Sequence, residues 1–597
     1  MSPMSSQAVV TQPAKLVSAC TSDVALLIYV ALATVIVHLL TGGRYGFHRD
    51  ELATLDDARH LAWGYVAYPP ITPFFARISL ILFGTSLVGF RFFAALAQAV
   101  AVVLAGLMAR ELGGGRTAQL VAAAAAIPVC LAGGALMQYV SFDYLLWVLT
   151  AYFVVRLLKS QDPRWWLAIG CSIGLGMMAK YTMGFFALGI VAGVLLTDAP
   201  KHFASKWLWL GVAASIIVFL PNLIWQAQHH FISLDFLHHI HERDVRIGRA
   251  KNFLPEQLEL TTIAGLLLAV AGLYYCLISK QGRHFRMMGW MYVVPLVLFV
   301  VAQGRSYYLA GAYPMLYAAG SVCGERWFSS LRHSWRWIVG AVAWTMLLLD
   351  IAITAALTLP IAPVNSPWWQ RAVKVQEDFR EELGWHELVQ KVAEIRDSLP
   401  AQDRARLAIL GANYGEAGAI NLYGPEFDLP QVISGVNSFW QRGYGDPPPE
   451  TLIVLGLSHR FLERNFSSCE VAGHTPNPYG IENEETSDHP TSTFAADSAK
   501  AGLNSGRTFD TTADDLLRPR YSASFQTYKK LASLAVATFL SSLWTARFNA
   551  ERTFSLLSSN SANGILSAIP AGSRSRSDRI CVTTSLCFPF RPWGTSV

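Results

Sequence analysis

The sequence predicts an all-α polytopic membrane protein of about 11 transmembrane helices, followed by a small extracytoplasmic α/β domain. Three observations carry that reading. The 597 residues are 53% hydrophobic and only 15% charged, where an ordinary soluble domain carries about 25% charged residues. Apolar runs of membrane-spanning length recur as far as Leu359. Beyond Pro360 those runs give way to short strand and helix patterns in alternation.

A bilayer core needs roughly 20 apolar residues per helix. Eleven runs qualify: 24–40, 88–109, 117–137, 142–158, 165–179, 182–197, 207–225, 259–279, 287–303, 307–323 and 337–359. The fifth and sixth are short and separated only by Lys180 and Tyr181. The first run is preceded by no basic, apolar and small-residue order of a cleaved signal, so it reads as a retained anchor. Alternate loops collect Arg110 and Arg116, then Arg156, Lys159 and Arg164, then Lys201 and Lys206, then Lys280, Arg283 and Arg286, then Arg326, Arg332 and Arg336. The positive-inside rule makes those loops and the N-terminus cytoplasmic. The expected divisions are a cytoplasmic segment 1–22, a membrane domain 23–360, an extracytoplasmic α/β domain 361–486 and a disordered tail 487–597.

The formal charge of +6 is too modest to argue for nucleic acid, and the eight cysteines show no zinc-type spacing. On this topology five pieces of sequence with unusual polar groups share the outer face: the loop with Asp50 and Glu51, the turn before Asp143, Lys180, the loop 227–258 and Arg305. A charged group beside hydrocarbon is costly and commonly faces a cavity, which makes the two adjacent acids a candidate site. They also suit the first turn of a short helix, where the backbone dipole favours acids. Residues 51–62 form such a helix by pattern, with Leu52, Leu55, Ala58 and Leu61 on one face and Asp56, Asp57 and Arg59 on another, suited to lying along the interface. Pro69 and Pro70 end it, and 71–83 reads as a second interfacial helix.

The loop 227–258 holds five histidines with Arg243, Asp244 and other charges. Its spacing fits no standard zinc pattern, whereas a basic loop at a membrane face suits a lipid phosphate. Past Pro360, helices are expected at 385–399 and 416–423 and strands at 407–411 and 452–456. The turn from Gly411 to Gly415 lacks the glycine fingerprint of a nucleotide loop.

These groups fit the transfer of a sugar from a lipid phosphate to an acceptor. A carboxylate, Asp50 first and Glu51 second, removes the acceptor hydroxyl's proton. Lys180, Arg243 and Arg305 stabilise the departing phosphate. Asp143 orients a substrate or serves only as a helix cap. Tyr68 and Tyr308 stack on a sugar or anchor the interface. These residues imply no cofactor firmly, and the departing phosphate leaves room for a divalent cation. A transporter or flippase of a lipid-linked saccharide is the alternative, but it would place ionisable groups at the midplane.

FHRDEL, YPPITP, SFD, GLGMMAKYT, PNLIWQ and RSYYLAGAYP, in that order, resemble glycosyltransferase family 39, the GT-C transferases related to protein O-mannosyltransferases and to the bacterial aminoarabinose transferase of lipid A. The resemblance covers about residues 25–360, and NYGEAGAINLYG and ISGVNSFW resemble the outer domain of bacterial members. It implies inverting transfer from a polyprenyl-phosphate sugar to a glycan, lipid or protein acceptor at the outer face of a bacterial inner membrane. It assigns Asp50 to the catalytic acid with Glu51 beside it, Asp143 to the acid of the second outer loop, and Lys180, Arg305 and Tyr308 to positions near the carrier phosphate. Arg305 stands where lysine is common in the family, which alters the contact geometry.

Overall fold

The computed structural model describes residues 22–197, 202–445, 449–457, 459–466, 468–474, 477, 479–481 and 492–497. The expected cytoplasmic segment lies outside the described residues up to Thr21, as does the expected tail apart from 492–497.

The membrane part runs through fourteen described α-helices: α1 Asp23–Thr41, α2 Arg49–Arg59, α3 Ile71–Phe83, α4 Leu87–Glu111, α5 Arg116–Gly133, α6 Tyr139–Ser160, α7 Trp165–Ala179, α8 Met183–Leu196, α9 Lys206–Gln228, α10 Ile232–Arg246, α11 Phe253–Leu277, α12 Arg286–Val301, α13 Tyr313–Ser330 and α14 His333–Thr358. Among the described residues, eight helices are long and apolar enough to cross a membrane: α1, α4, α5, α6, α9, α11, α12 with the turn before it, and α14. The chain is a multi-pass membrane protein. Each of the eleven expected runs falls on a helix, α7, α8 and α13 completing the set.

Two runs differ from expectation in an informative way. The run at 307–323 begins as a 3-10 turn, Ser306–Ala312, and becomes α-helical only at Tyr313, with Pro314 in the first turn. Proline is tolerated there because its missing amide would have had no partner. Helix α11 breaks at Thr262, whose φ is +61°, and Asp350 of α14 accepts from the Thr262 hydroxyl at 2.7 Å and the Ala264 amide at 3.0 Å. The acid thus serves the amides that a broken helix leaves unpaired.

Helix α13 forms the centre, with every residue from Tyr313 to Val322 buried against α4, α5 and α11. Helices α7 and α9 cross where Gly170 meets Gly211: a Cβ on Gly170 would lie 1.9 Å from the Gly211 carbonyl oxygen. Such contacts let helix backbones pack where lipid provides no hydrophobic drive. Helix α14 turns Trp337, Leu348 and Leu349 outward, as a lipid-facing helix does. The basic loops gather at one end, where Glu111 meets Lys159 at 3.0 Å and Glu325 accepts from the Gly115 amide at 2.7 Å.

Beyond α14 come α15 Pro367–Ala372, α16 Trp385–Ser398, α17 Ala401–Arg404, β1 Leu407–Gly411, α18 Tyr414–Tyr423, β2 Val432–Ser434, α19 Asn437–Arg442, β3 Thr451–Leu455, α20 His459–Asn465, β4 Ser468–His474 and β5 Ser492–Asp497. The sheet order is β2-β1-β3-β5-β4. Strand β1 pairs parallel with β2 and β3, and β5 pairs antiparallel with β3 and β4. The sheet therefore extends past residue 486.

This domain is clamped onto α2. A Cβ on Gly415 would lie 2.7 Å from the Arg49 Cβ, and one on Gly418 would lie 2.7 Å from the Leu52 Cβ. Glycines three residues apart on one face of α18 thus let the two helices touch. The face of α2 read from sequence as polar does not lie along a membrane surface. Asp56 and Asp57 are 1% and 3% exposed, because Arg442 bridges both, Asn421 donates to Asp56 at 2.8 Å, and Tyr68 and Ser438 donate to Asp57 at 2.7 and 3.1 Å.

Candidate active site

The first turn of α2 separates its two acids. His48 caps the helix: its Nδ1 accepts from the Asp50 amide at 3.1 Å, and Glu51 reaches back to accept from the His48 amide at 3.0 Å. This reciprocal capping box fixes the helix start. Glu51 is fully buried and accepts from the Met137 amide at 2.8 Å and from Arg91 Nη2 at 2.6 Å. Arg91 also donates to the carbonyls of Gly42 and Gly46 and to Glu382 at 3.1 Å. Two carboxylates thus share one guanidinium. Burial, with the Glu51 charge adding to it and Arg91 opposing, pushes the Glu382 carboxyl up to about 7.

Asp50 points elsewhere, as neighbours on a helix must when each residue turns the chain by about 100°. It is half-buried, and its two oxygens accept from different parts of the molecule. Oδ1 takes the Tyr414 hydroxyl at 2.8 Å, and Oδ2 takes Gln138 Nε2 at 3.1 Å.

The next residue, Tyr139, begins the route to the cations. Lys180 leaves the helix between α7 and α8 with extended backbone angles, φ −161° and ψ 141°. Its ammonium lies over the rings of Tyr139, Tyr307 and Tyr308, at 4.6, 4.6 and 4.3 Å from their centroids. Among the described residues its buried Nζ has no hydrogen-bond partner. Ring faces compensate a buried ammonium only in part, so this cation is ready to take an anion. The 3-10 turn at 306–312 brings in both tyrosines. Arg305 donates to Asp244 at 2.6 Å and to the Tyr307 hydroxyl at 3.4 Å. Asp244 also takes Arg243 at 3.3 Å. Burial works against the Asp244 charge, but these two arginines keep its carboxyl below the usual range.

Residues 67–225 match the family model described as dolichyl-phosphate-mannose-protein mannosyltransferase. The chain is 25% identical over 223 residues to the lipid A galacturonosyltransferase RgtD of Rhizobium johnstonii, a match covering 36% of this chain. The chain spans 44% of that relative's length. ArnT from Cupriavidus metallidurans bound to undecaprenyl phosphate matches at 14% identity over 82% of this chain and 99% of that one, with a TM-score of 0.51. Its apo form matches at 14% identity over 80% and 98%, with a TM-score of 0.50. The chain has the GT-C fold.

Within this GT-C frame the structure joins Lys180, Arg305 and Tyr308 through Tyr307, with Arg243 attached through Asp244, and Asp50 connects to them through Gln138, the sequence neighbour of Tyr139. Asp143, 6% exposed, is oriented by Trp147 at 3.1 Å and Thr182 at 2.8 Å, within electrostatic reach of Lys180. It stands in the second turn of α6, so it is not that helix's cap. The polar atoms of Glu51 and Tyr68 are bound within the protein, Glu51 to Arg91 and Met137 and Tyr68 to Asp57. In α10, His238 meets Glu242 at 3.2 Å and the His239 ring, and His239 lies 2.7 Å from the Asp235 carbonyl oxygen. Among the described residues, no three His, Cys, Asp or Glu side chains are grouped as metal ligands.

Sequence reasoning missed Gln138, Tyr139, Arg91 and Tyr414. Arg91 carried a usable signal, a charge inside an apolar run. The Gly411–Gly415 turn is no phosphate cradle, because Asn413 and Glu416 close a capping box over the start of α18. Burial pushes the Glu416 carboxyl up to about 7, against the amides of Asn413 and Ala412 that donate to it.

Proposed function

We propose that this chain is a glycosyltransferase of the inner membrane that moves a sugar from a polyprenyl-phosphate carrier to a hydroxyl or phosphate acceptor at the outer face. The observation that carries the reading is the enclosed ammonium of Lys180, without a hydrogen-bond partner among the described residues; it lies over the ring of Tyr139, whose sequence neighbour Gln138 donates to Asp50. An anion site and a carboxylate linked through Gln138 and Tyr139 suit the two ends of one displacement.

The acceptor oxygen attacks the anomeric carbon from the face opposite the phosphate, which inverts that centre. An acceptor hydroxyl passes its proton to Asp50, while an ionised phosphate acceptor has none to lose. The bond from the anomeric carbon to the carrier phosphate oxygen breaks, and its electron pair leaves with the polyprenyl phosphate. Lys180 and Arg305 meet the charge that develops there. Arginine can hold two phosphate oxygens where lysine presents a point charge, so the pair divides the work. Glu51 and Arg91 act as positioning residues by fixing the helix that carries Asp50. The lipid phosphate of the ArnT structure and the lipid A acceptor in the name of the Rhizobium relative support a lipid-linked donor and a lipid acceptor.

Purified protein in nanodiscs, given the total lipid extract of the native host, tests this. Wild-type protein should form a new glycosylated product by mass spectrometry, and Asp50→Asn should lose it by about 100-fold or more. Full transfer by Asp50→Asn removes the base, and movement of lipid-linked sugar across a vesicle without a new glycosidic bond makes the protein a transporter.

A further inference from the structure

The domain beyond residue 365 does more than sit on the membrane helices, because it puts one side chain against the reacting carboxylate. Tyr414 lies 364 positions from Asp50 in sequence, yet its hydroxyl is 2.8 Å from Asp50 Oδ1. We propose that Tyr414 is a positioning residue for sugar transfer, whose phenol holds Asp50 in the orientation that receives the acceptor's proton. The proposal rests on the reading of Asp50 as the base.

Several independent contacts fix Tyr414. It is the first residue of α18, and Asn413 Oδ1 accepts from the Gly415 and Glu416 amides at 2.8 and 3.0 Å. Glu416, fully buried, accepts from the Ala412 amide at 2.8 Å and so closes the turn behind the tyrosine. Gly415 brings the backbone against Arg49, and the Arg49 guanidinium lies 5.8 Å from the centre of the Tyr414 ring. A phenol on so constrained a backbone has little freedom to swing away.

The chemistry matches the geometry. A carboxylate oxygen has two lone pairs, and one donor on each oxygen leaves a lone pair on each for an incoming hydroxyl. Gln138 supplies one donor from the membrane part, and Tyr414 supplies the other from the outer domain. During transfer the acceptor proton moves to Asp50, the acceptor oxygen bonds to the anomeric carbon, and the carrier phosphate departs with the old bond's electrons. Tyr414 keeps its own proton throughout. Docking of the domain does not depend on this hydroxyl, since Arg442 and the Gly415 and Gly418 contacts already hold it.

The test uses full-length protein in nanodiscs with the native host's total lipid extract as the probe. Tyr414→Phe should lower the maximal rate by about 10- to 100-fold, the range for losing one hydrogen bond to a charged group. The extract needed for half-maximal rate should stay within about twofold of wild type, as for a group acting after binding, and the thermal midpoint should be unchanged. A wild-type maximal rate for Tyr414→Phe, with Asp50→Asn inactive, overturns this inference and leaves the proposed function standing. A loss accompanied by a lower thermal midpoint or a raised half-saturation also overturns it, by making Tyr414 a structural contact. Activity in Asp50→Asn instead defeats the base assignment on which both depend.

Discussion

Replacing Arg442 by alanine should loosen the outer domain from the helix that carries Asp50. Arg442 bonds both Asp56 and Asp57, the latter at 2.8 Å, while those acids are 1% and 3% exposed. Removing one partner of a buried ion pair costs about 3–5 kcal/mol, because it leaves an uncompensated charge. The Arg442 side chain is itself 22% exposed, so water reaches the gap and the lower end, about 3 kcal/mol, is the expected loss. That is roughly a hundredfold shift toward the undocked state. Hydrogen exchange read by mass spectrometry should show faster exchange in α2 and α18 and little change in α13. The defect should also depend on pH. Burial pushes the Asp57 carboxyl up to about 7, with Arg442 and its neighbouring donors holding it down. Without the guanidinium that carboxyl titrates higher still, so it is neutral at pH 6, and the variant should be less impaired there than at pH 8. Exchange rates in α2 and α18 equal to wild type at both values would refute the reasoning.

Lys180→Met keeps the side chain's apolar packing and removes its charge, so undecaprenyl phosphate should bind about 10- to 100-fold more weakly, as measured by displacement of a fluorescent polyprenyl phosphate. Gly418→Ala gains about 1 kcal/mol of helix propensity, but its methyl meets Leu52 at 2.7 Å. Overpacking costs about 1–3 kcal/mol, so the thermal midpoint should fall, and a rise would show that α18 shifts freely. Glu382 and Glu416 are both held near 7, chiefly by burial. A carboxyl raised in the folded state binds more protons folded than unfolded between its ordinary value and about 7, so its contribution to stability is lost as pH rises through that window. The thermal midpoint in detergent should decline from pH 6 to pH 8, and Glu382→Gln should flatten the decline.

The sequence made the membrane helices legible because a bilayer demands long apolar runs whatever their partners. Asp50, Lys180 and Arg305 were legible for the same reason, as charges beside hydrocarbon without an obvious neighbour. What one chain's order cannot express is which of two adjacent acids turns inward. Asp50 and Glu51 give the same signal, and only the His48 cap and Arg91 assign Glu51 to the interior. Tyr414 was hidden differently, since its turn was readable as local structure while its partner lies in the first loop. The polar face of α2 misled because Asp56 and Asp57 look solvated until Arg442 covers them.

These contacts together explain why the proposed base belongs on a short helix rather than on a spanning one. A spanning helix is fixed by neighbours along its length and can direct only one face toward a lipid carrier. Helix α2 is fixed at its start by the His48–Glu51 box and Arg91, and along its far side by Arg442 and α18. Asp50 lies between those anchors, its carboxylate held by Gln138 and Tyr414. On the proposed function, a carrier phosphate arriving from the bilayer would meet Lys180 and Arg305 without disturbing either anchor, while an acceptor would approach beside the outer domain that holds Tyr414. Docking of that domain and readiness of Asp50 are then one condition. The exchange defect of Arg442→Ala should accordingly track its loss of transfer as pH is varied.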